Sequence, residues 1–484
     1  MDALFVAVNA KYVHTNIAVR YLKRICENQG FDCDFAEFTI NEPQNIILQK
    51  LYMQDAAVYG FSCYIWNIGT VLELCRNLKK LKPVCKIVLG GPEVSFDAEE
   101  ILKNNDFVDF VFSGEGEALW ADFLSDIPKP GQVIGGKRVE DLDKLPFPYS
   151  DDDLRNVVVG EKLVYYETSR GCPFGCAYCL SSTTDGVRFL SLERVKNELK
   201  KFAELGVMTV KFVDRTFNAD KKRALEIWKY CLTLSGDTCF HFEIGADLIT
   251  DEAIEVLKAA PKGKFQFEIG VQTTNEKVIS EISRTMDFEV LKRNVKAVKE
   301  NTQIMLHLDL IAGLPFEDFE SFKKSFDDVY ALNPHVLQLG FLKLLKGSRL
   351  REDASKYGMM FSDVAPYEIF SNRWISYSEI IKLKGVEDVL ERYMNSGRFP
   401  RTLKCLESIV GSPFEFYEKL SNFFDKRGLI GQGVKRISLY QLLYEFLKEE
   451  LPDENLSKVM GEMKKDFAAW HSNGVGTPEW YKRY

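Results

Sequence analysis

The 484-residue chain predicts an α/β fold: two successive parallel arrays followed by a mostly helical extension. Three observations predict it. Short β-rich runs alternate with amphipathic stretches over residues 1–125, the alternation restarts over residues 159–357, and residues 358–484 turn helical and rich in aromatics. Between the arrays, residues 126–158 lose periodicity and hold Pro128, Pro130, Pro146 and Pro148 with the run Asp151-Asp152-Asp153. That composition predicts a linker wrapped on the surface.

In the first array the strand candidates are Leu4–Val8, Asp34–Phe38, Ala57–Phe61, Lys86–Leu89 and Phe107–Phe112, separated by stretches such as Asn16–Asn28 and Ile68–Leu81. Five βα units of this length predict a doubly wound parallel sheet, whose ligands lie outside the C-terminal strand ends. Those ends carry Asn9–Asn16, Ser62–Asn67, Gly90-Gly91-Pro92-Glu93 and Gly114-Glu115-Gly116-Glu117, where small residues leave room for a large flat ligand.

The second array offers Leu163–Glu167, Thr209–Val213, Phe240–Ile244, Phe265–Ile269, Met305–Ile311 and Val336–Phe341. Six parallel units curl into an open barrel with its chemistry at the C-terminal rim. In strand order that rim gathers a cysteine loop, Asp214, Glu243, Gln272, Gly313-Leu314-Pro315 and Lys346-Gly347-Ser348. The extension follows, with helical runs such as Leu439–Glu449 and Asn455–Trp470 and no Gly-rich loop or metal-ligand spacing; it reads as a lid or partner surface.

The cysteine loop is Ser169-Arg170-Gly171-Cys172-Pro173-Phe174-Gly175-Cys176-Ala177-Tyr178-Cys179. Its C-x3-C-x2-C spacing places three thiolates on one tight turn, close enough to grip one inorganic cluster. Four-iron clusters usually take four protein thiolates; three leave one iron open for a substrate or cofactor. A structural zinc competes with this reading. Zinc sites favour paired C-x2-C units completed by a fourth Cys or His. Here only Cys176 and Cys179 pair so, and the next histidine is His241.

A net charge of −8 argues against general adhesion to nucleic acid or anionic membrane. The N-terminus reads as a strand without a basic leader, and no run of about 18 apolar residues occurs, which predicts neither signal peptide nor membrane span. Eleven cysteines, many isolated within predicted elements, fit a reducing, cytoplasmic location better than a disulfide framework.

The second array resembles the radical S-adenosylmethionine (SAM) superfamily, whose motif matches at Cys172, Cys176 and Cys179. The resemblance implies a [4Fe-4S] cluster whose open iron chelates the methionyl group of SAM, and whose electron releases a 5′-deoxyadenosyl radical. It also implies an external one-electron reductant of flavodoxin or ferredoxin type. Phe242-Glu243-Ile244 and Ile269-Gly270-Val271-Gln272-Thr273 are similar to the third- and fourth-strand motifs that contact the ribose. Arg284 stands where relatives place an arginine on the methionyl carboxylate, and Asp309-Leu310-Ile311-Ala312-Gly313-Leu314-Pro315 resembles the motif lining the adenine, implicating Asp309, Gly313 and Pro315.

The first array resembles the flavodoxin-like cobalamin-binding domain that precedes the barrel in one branch of the superfamily. Val88-Leu89-Gly90-Gly91-Pro92-Glu93-Val94 and Ser113-Gly114-Glu115-Gly116-Glu117 carry the likeness. It implies backbone close to a corrin face, with Ser62, Gly90, Gly91, Gly114 and Glu115 as contacts. A vestigial domain that binds nothing competes, because folds of this kind persist without ligands. In relatives that replace the lower axial base, an Asp-x-His-x-x-Gly loop follows the first strand. Here His14 is present, but Tyr12 and Ile17 stand in place of the Asp and Gly, so a lower face free of protein nitrogen is expected. The extension looks like the uncharacterised helical addition found on a subset of these proteins.

The implied function is a cobalamin-dependent radical methyltransferase acting on an unactivated carbon of a small molecule. A ring-forming or rearranging enzyme without net methylation is the first alternative. A transfer-RNA methylthiotransferase would need clustered cysteines in the first array, where Cys26, Cys33, Cys63, Cys75 and Cys85 are scattered. A corrinoid sensor has no use for an open-iron site.

Overall fold

The computed structural model describes residues 1–471 and 478–483. Its first domain is a parallel sheet of β1 (Ala3–Asn9), β2 (Cys33–Thr39), β3 (Val58–Ser62), β4 (Lys86–Gly90), β5 (Phe110–Ser113) and β6 (Gln132–Gly135), in spatial order 2-1-3-4-5-6. Every residue of β1 is buried. The reason is two-sided packing: Leu4, Val6 and Val8 join the core on one face, and Ala3, Phe5 and Ala7 the core on the other. Gly91 turns the chain at the end of β4 with φ +114°, and a Cβ there would lie 2.6 Å from the Cys63 carbonyl oxygen. Only glycine fits that turn.

The supposed linker does more than connect. Residues Gln132–Gly135 pair with β5 as the sixth strand, which extends the sheet beyond residue 125. Four residues, polar or glycine at their ends, give too short a period to read. Helix Asp151–Val159 then starts on a capping box made by Ser150 and Asp153, so the acidic run is a helix N-terminus. Leu142, Leu145, Tyr149, Leu154 and Val157 are buried in the barrel core, which anchors this segment instead of leaving it on the surface.

The second domain is an open, all-parallel barrel of β7 (Val164–Tyr166), β8 (Thr209–Phe212), β9 (Cys239–Ile244), β10 (Phe265–Gln272), β11 (Met305–Ala312) and β12 (Val336–Phe341), in spatial order 12-11-10-9-8-7. Strict alternation sorts its side chains. Phe240, Phe242, Phe265, Phe267, Leu306 and Leu308 face the surrounding helices and are buried there. The side chains of the opposite face, Lys211, His241, Glu243, Glu268, His307 and Asp309 among them, point inward and give the barrel a polar lumen.

The extension is helical over Tyr377–Leu390, Pro400–Glu407, Pro413–Asp425, Arg436–Glu450 and Asp453–Trp470. It opens, however, with a small antiparallel pair, β13 (Met360–Phe361) and β14 (Ile369–Ser371), too short for periodicity to announce. Its apolar faces merge with the barrel's in one continuous core. Among the described residues no helix is long and apolar enough to cross a membrane.

Candidate functional site

Three loops at the C-terminal rim of the first sheet are bolted onto the rest of the chain, so that this rim faces the rim of the barrel. After β1, Leu163 N donates to the Val13 carbonyl at 2.9 Å, and Thr15 Oγ1 donates to the Leu163 carbonyl at 3.1 Å. After β4, Lys346 Nζ lies 3.2 Å from Glu93 and 2.6 Å from Asp97, while the Tyr367 hydroxyl donates to Glu93. After β5, Arg170 pairs with Glu117 at 2.6 Å and Glu115 at 3.5 Å, and Arg188 pairs with Glu115.

The cysteine loop sits between these rims, held from several sides. Buried Asp214, just beyond β8, accepts from Thr168 N at 2.9 Å, Thr168 Oγ1 at 2.6 Å and Ser169 Oγ at 2.6 Å. Burial pushes its carboxyl up to about 6, with those hydrogen bonds opposing the rise. Ala177 N donates to the Ile282 carbonyl at 2.8 Å, and its own carbonyl accepts from Leu350 N at 2.9 Å. Thr216 Oγ1 lies 3.6 Å from Cys172 Sγ.

Cys172, Cys176 and Cys179 line one wall of a cavity of about 190 Å³. The remaining wall includes Glu243 of β9, Glu268, Gly270 and Gln272 of β10, Arg284 and Asp309 of β11. Gln272 sits at a bulge in the β10–β11 ladder with φ +73°, and its Oε1 is buried without a partner. The Oδ1 of Asp309 is orphaned in the same way. Arg284 donates to the Gly270 carbonyl and, at 3.0 Å, to the Tyr178 hydroxyl; its Nη1 lies 4.0 Å from Cys176 Sγ.

Below the cavity the lumen is filled by hydrogen bonds. Lys211 Nζ donates to Glu268 Oε2 at 2.9 Å, and His241 Nε2 meets the same oxygen at 2.9 Å. Burial raises the Glu268 carboxyl, but the His241 hydrogen bond and the Lys211 charge outweigh it and bring it down to about 2. The opposite holds above. Burial, then the Glu268 and Glu243 charges, push Asp309 up to about 8, and burial with Glu268 pushes Glu243 up to about 7.

The structure therefore gathers Cys172, Cys176, Cys179, Glu243, Gln272, Arg284 and Asp309 around one cavity. Gly313 and Pro315 lie off its wall. Gly313 packs against the extension instead, its carbonyl accepting from Asn372 Nδ2 at 2.9 Å and a Cβ there meeting Ile369 Cγ2 at 2.7 Å. The Glu115 carboxylate is taken up by Arg188, Arg170 and Val139 N, which leaves backbone as what that loop offers a ligand. Ser62, Gly90, Gly91 and Gly114 stand at the sheet rim as expected.

Sequence reasoning placed Ser62–Asn67 on that rim but singled out only Ser62, not Tyr64 and Trp66. Their rings stack at 4.4 Å and 5°, Trp66 Nε1 donates to the Val8 carbonyl at 3.2 Å, and Trp66 is 43% exposed. Asn67 fixes the turn, accepting from Tyr64 N at 2.8 Å and donating to the Val8 carbonyl at 3.0 Å. An exposed tryptophan after a β-strand was the available signal. His14 turns away to the barrel, its ring edge-on to Tyr165 at 5.6 Å.

Three protein families match the chain: "B12 binding domain" over residues 3–124, "Radical SAM superfamily" over residues 166–329, and "Protein of unknown function (DUF4080)" over residues 355–484. The chain is 26% identical over 495 residues to the cobalamin-dependent radical SAM methyltransferase TokK of Streptomyces tokunonensis, covering 90% of this chain and 72% of that one. It is 24% identical over 494 residues to a 2-(S-pantetheinyl)-carbapenam-3-carboxylate methyltransferase of Streptantibioticus cattleyicolor, covering 91% and 72%. Among solved structures it shares its fold with the cobalamin-dependent radical SAM enzyme OxsB, with TM-score 0.67 and 14% identity over 96% of this chain and 78% of that one.

Proposed function

This chain belongs to the radical SAM enzymes that carry a B12-binding domain, and we propose that it methylates an unactivated carbon of a small-molecule substrate. The observation that carries this reading is the facing of the two rims, with the cysteine loop and acids on one and the stacked Tyr64–Trp66 pair with its glycines on the other.

The residues fit the cofactors. Three thiols on a loop held by Asp214, Ile282 and Leu350 would hold the [4Fe-4S] cluster and leave one iron open. The orphaned oxygens of Gln272 and Asp309, together with Glu243, need donors, which the ribose hydroxyls, the adenine amine and the cationic centre of SAM provide. The exposed face of Trp66 and the turns at Gly90, Gly91 and Gly114 would hold the corrin through apolar contact and backbone. When bound, the cluster with SAM supplies hydrogen-atom abstraction by a deoxyadenosyl radical, and cobalamin supplies a transferable methyl group. The chain's own part is placement: the three bolted rim loops hold the two domains together with their rims facing.

The test is anaerobic. The reconstituted protein, reductant, cobalamin and methyl-labelled SAM are incubated with fractions of small-molecule extract. The expected result is labelled product, with deoxyadenosine and S-adenosylhomocysteine formed together. Deoxyadenosine accompanied by a converted but unlabelled substrate would defeat the methylation reading.

A pH dependence follows from the acids. Asp309 and Glu243 face Glu268, Lys211, Arg284, Arg215 and Asp214, and their carboxyls are held up to about 8 and about 7 in the free protein. Near neutral pH both carboxyls therefore favour the protonated form far more than an ordinary carboxylate does. A cationic ligand favours their charged forms, so its binding expels protons and its affinity rises as pH climbs through the free-state values. Equilibrium dialysis should show SAM binding roughly tenfold tighter at pH 8.5 than at pH 6.5, and Asp309→Asn should flatten the slope. A flat wild-type profile would remove these acids from the SAM contacts.

A further inference from the structure

We propose that Arg215 binds an anionic group, a carboxylate or phosphate, of the substrate. The inference rests on the reading above, in which SAM occupies the cavity of the cysteine loop, and it adds the chemical class of the substrate.

Arg215 lies on the wall of that cavity and is exposed. Its guanidinium has no hydrogen bond and no ion pair among the described residues. The other arginines of the interior are engaged. Arg20 holds Glu37 at 2.8 Å, Arg170 holds Glu117 and Glu167, and Arg284 is anchored on the Gly270 carbonyl and Tyr178. A free arginine is the more notable because the same cavity contains Glu243, Asp247, Glu268 and Asp309. It lowers the titration of Glu243 by its charge without bonding to it.

Its position separates it from Arg284. The neighbouring Thr216 touches Cys172, whereas Arg284 reaches toward Cys176. Arg215 is also within electrostatic reach of Tyr64 on the opposing rim. It therefore lies beside the cysteine loop on the cavity wall, with its charge felt at the Tyr64 rim, on the side from which a substrate held by both domains would approach. A guanidinium with all its donors free in such a place is suited to a planar oxyanion, which it grips bidentately.

SAM itself carries a carboxylate, and the experiment separates the two sources. The holoenzyme is prepared with cob(II)alamin and saturating SAM, whose binding is first confirmed by equilibrium dialysis. Inorganic phosphate is then titrated while its ³¹P relaxation reports proximity to the paramagnetic centre. The expected result is a saturable relaxation enhancement that falls at least about fivefold in Arg215→Gln, persists in part in Arg215→Lys and is unchanged in Arg155→Gln, with SAM affinity within about twofold of wild type in all three. An enhancement that Arg215→Gln leaves intact would overturn the proposal. So would one that appears only without SAM, which would assign Arg215 to the methionyl carboxylate. Failure of the wild type to bind SAM would overturn the functional reading beneath it, and is seen before phosphate is added.

Discussion

Replacing Cys176 with alanine should abolish the iron–sulfur centre and, with it, deoxyadenosine formation. Cys176 is buried, 8% exposed, at the middle of the loop. Burial raises its thiol above the ordinary range, while the Arg284 charge and the Tyr178 hydroxyl pull it back. That surrounding suits a thiolate only when a metal takes up its charge. Two remaining thiols on a turn of this size leave two irons of a four-iron cluster without protein ligands. The expected result is iron content near background after anaerobic reconstitution. SAM cleavage should fall at least about a thousandfold, a loss of about 4 kcal/mol in transition-state stabilisation. Cys231→Ala is the control, because Cys231 is fully buried in helix Lys221–Thr233, away from the cavity. It should lose about 1–2 kcal/mol of stability and keep its iron. A Cys176→Ala protein that still assembled four irons and made deoxyadenosine would refute the assignment.

The cysteine loop was legible in the sequence because its information is local. Three ligands and their neighbouring glycines lie within nine residues, so spacing alone states the chemistry. The barrel was legible for a related reason. Phe265–Gln272 and Met305–Ala312 alternate over eight residues each, buried outward and partly buried inward apart from exposed Met305 at the strand's start. Where the chain offered fewer residues the signal failed. Gln132–Gly135 has four and β13 has two, and both joined sheets only because a partner strand was in place. The loop of Glu115 and Glu117, from which Glu115 was expected to contact a ligand, differs in another way. Their glycine-rich setting pointed to a ligand, yet their carboxylates meet arginines 53 and 73 positions away along the chain. No periodicity encodes such a meeting. The same holds for Gly313, whose neighbours Ile369 and Asn372 belong to the extension. Cavity residues that act alone from a strand end, such as Glu243 and Gln272, were found; those defined by a partner in another domain, or by its absence as in Arg215, were not.

Arg170 should prove the most costly single loss at the junction of the domains. It stands two residues ahead of Cys172 and engages three carboxylates: Glu167 at 2.7 Å, Glu117 at 2.6 Å and Glu115 at 3.5 Å. The side chains of Arg170, Glu117 and Glu167 are 13%, 12% and 10% exposed, so water can do little to replace the guanidinium. Breaking a buried ion pair from one side strands the partner charge, at a cost of about 3–5 kcal/mol. Arg170→Gln should therefore destabilise the protein by about that much in chemical denaturation, whereas the exposed Arg155→Gln should change it by less than about 0.5 kcal/mol. If the cost comes from stranded carboxylates, adding Glu117→Gln should restore part of the stability, a coupling visible in a double-mutant cycle. Additive losses would show that Arg170 acts through packing on Tyr21, whose ring lies 5.7 Å away. The functional consequence differs from that of the cysteine. Arg170 joins the loop bearing Glu115 and Glu117 to the strand that leads into the cluster loop, so its loss should loosen the facing of the two rims while sparing the three thiols. Iron content and deoxyadenosine formation should persist in Arg170→Gln, and labelled methyl transfer should fall at least about tenfold. Equal losses of both activities would mean that the arginine supports the cysteine loop alone and contributes nothing to aligning the domains.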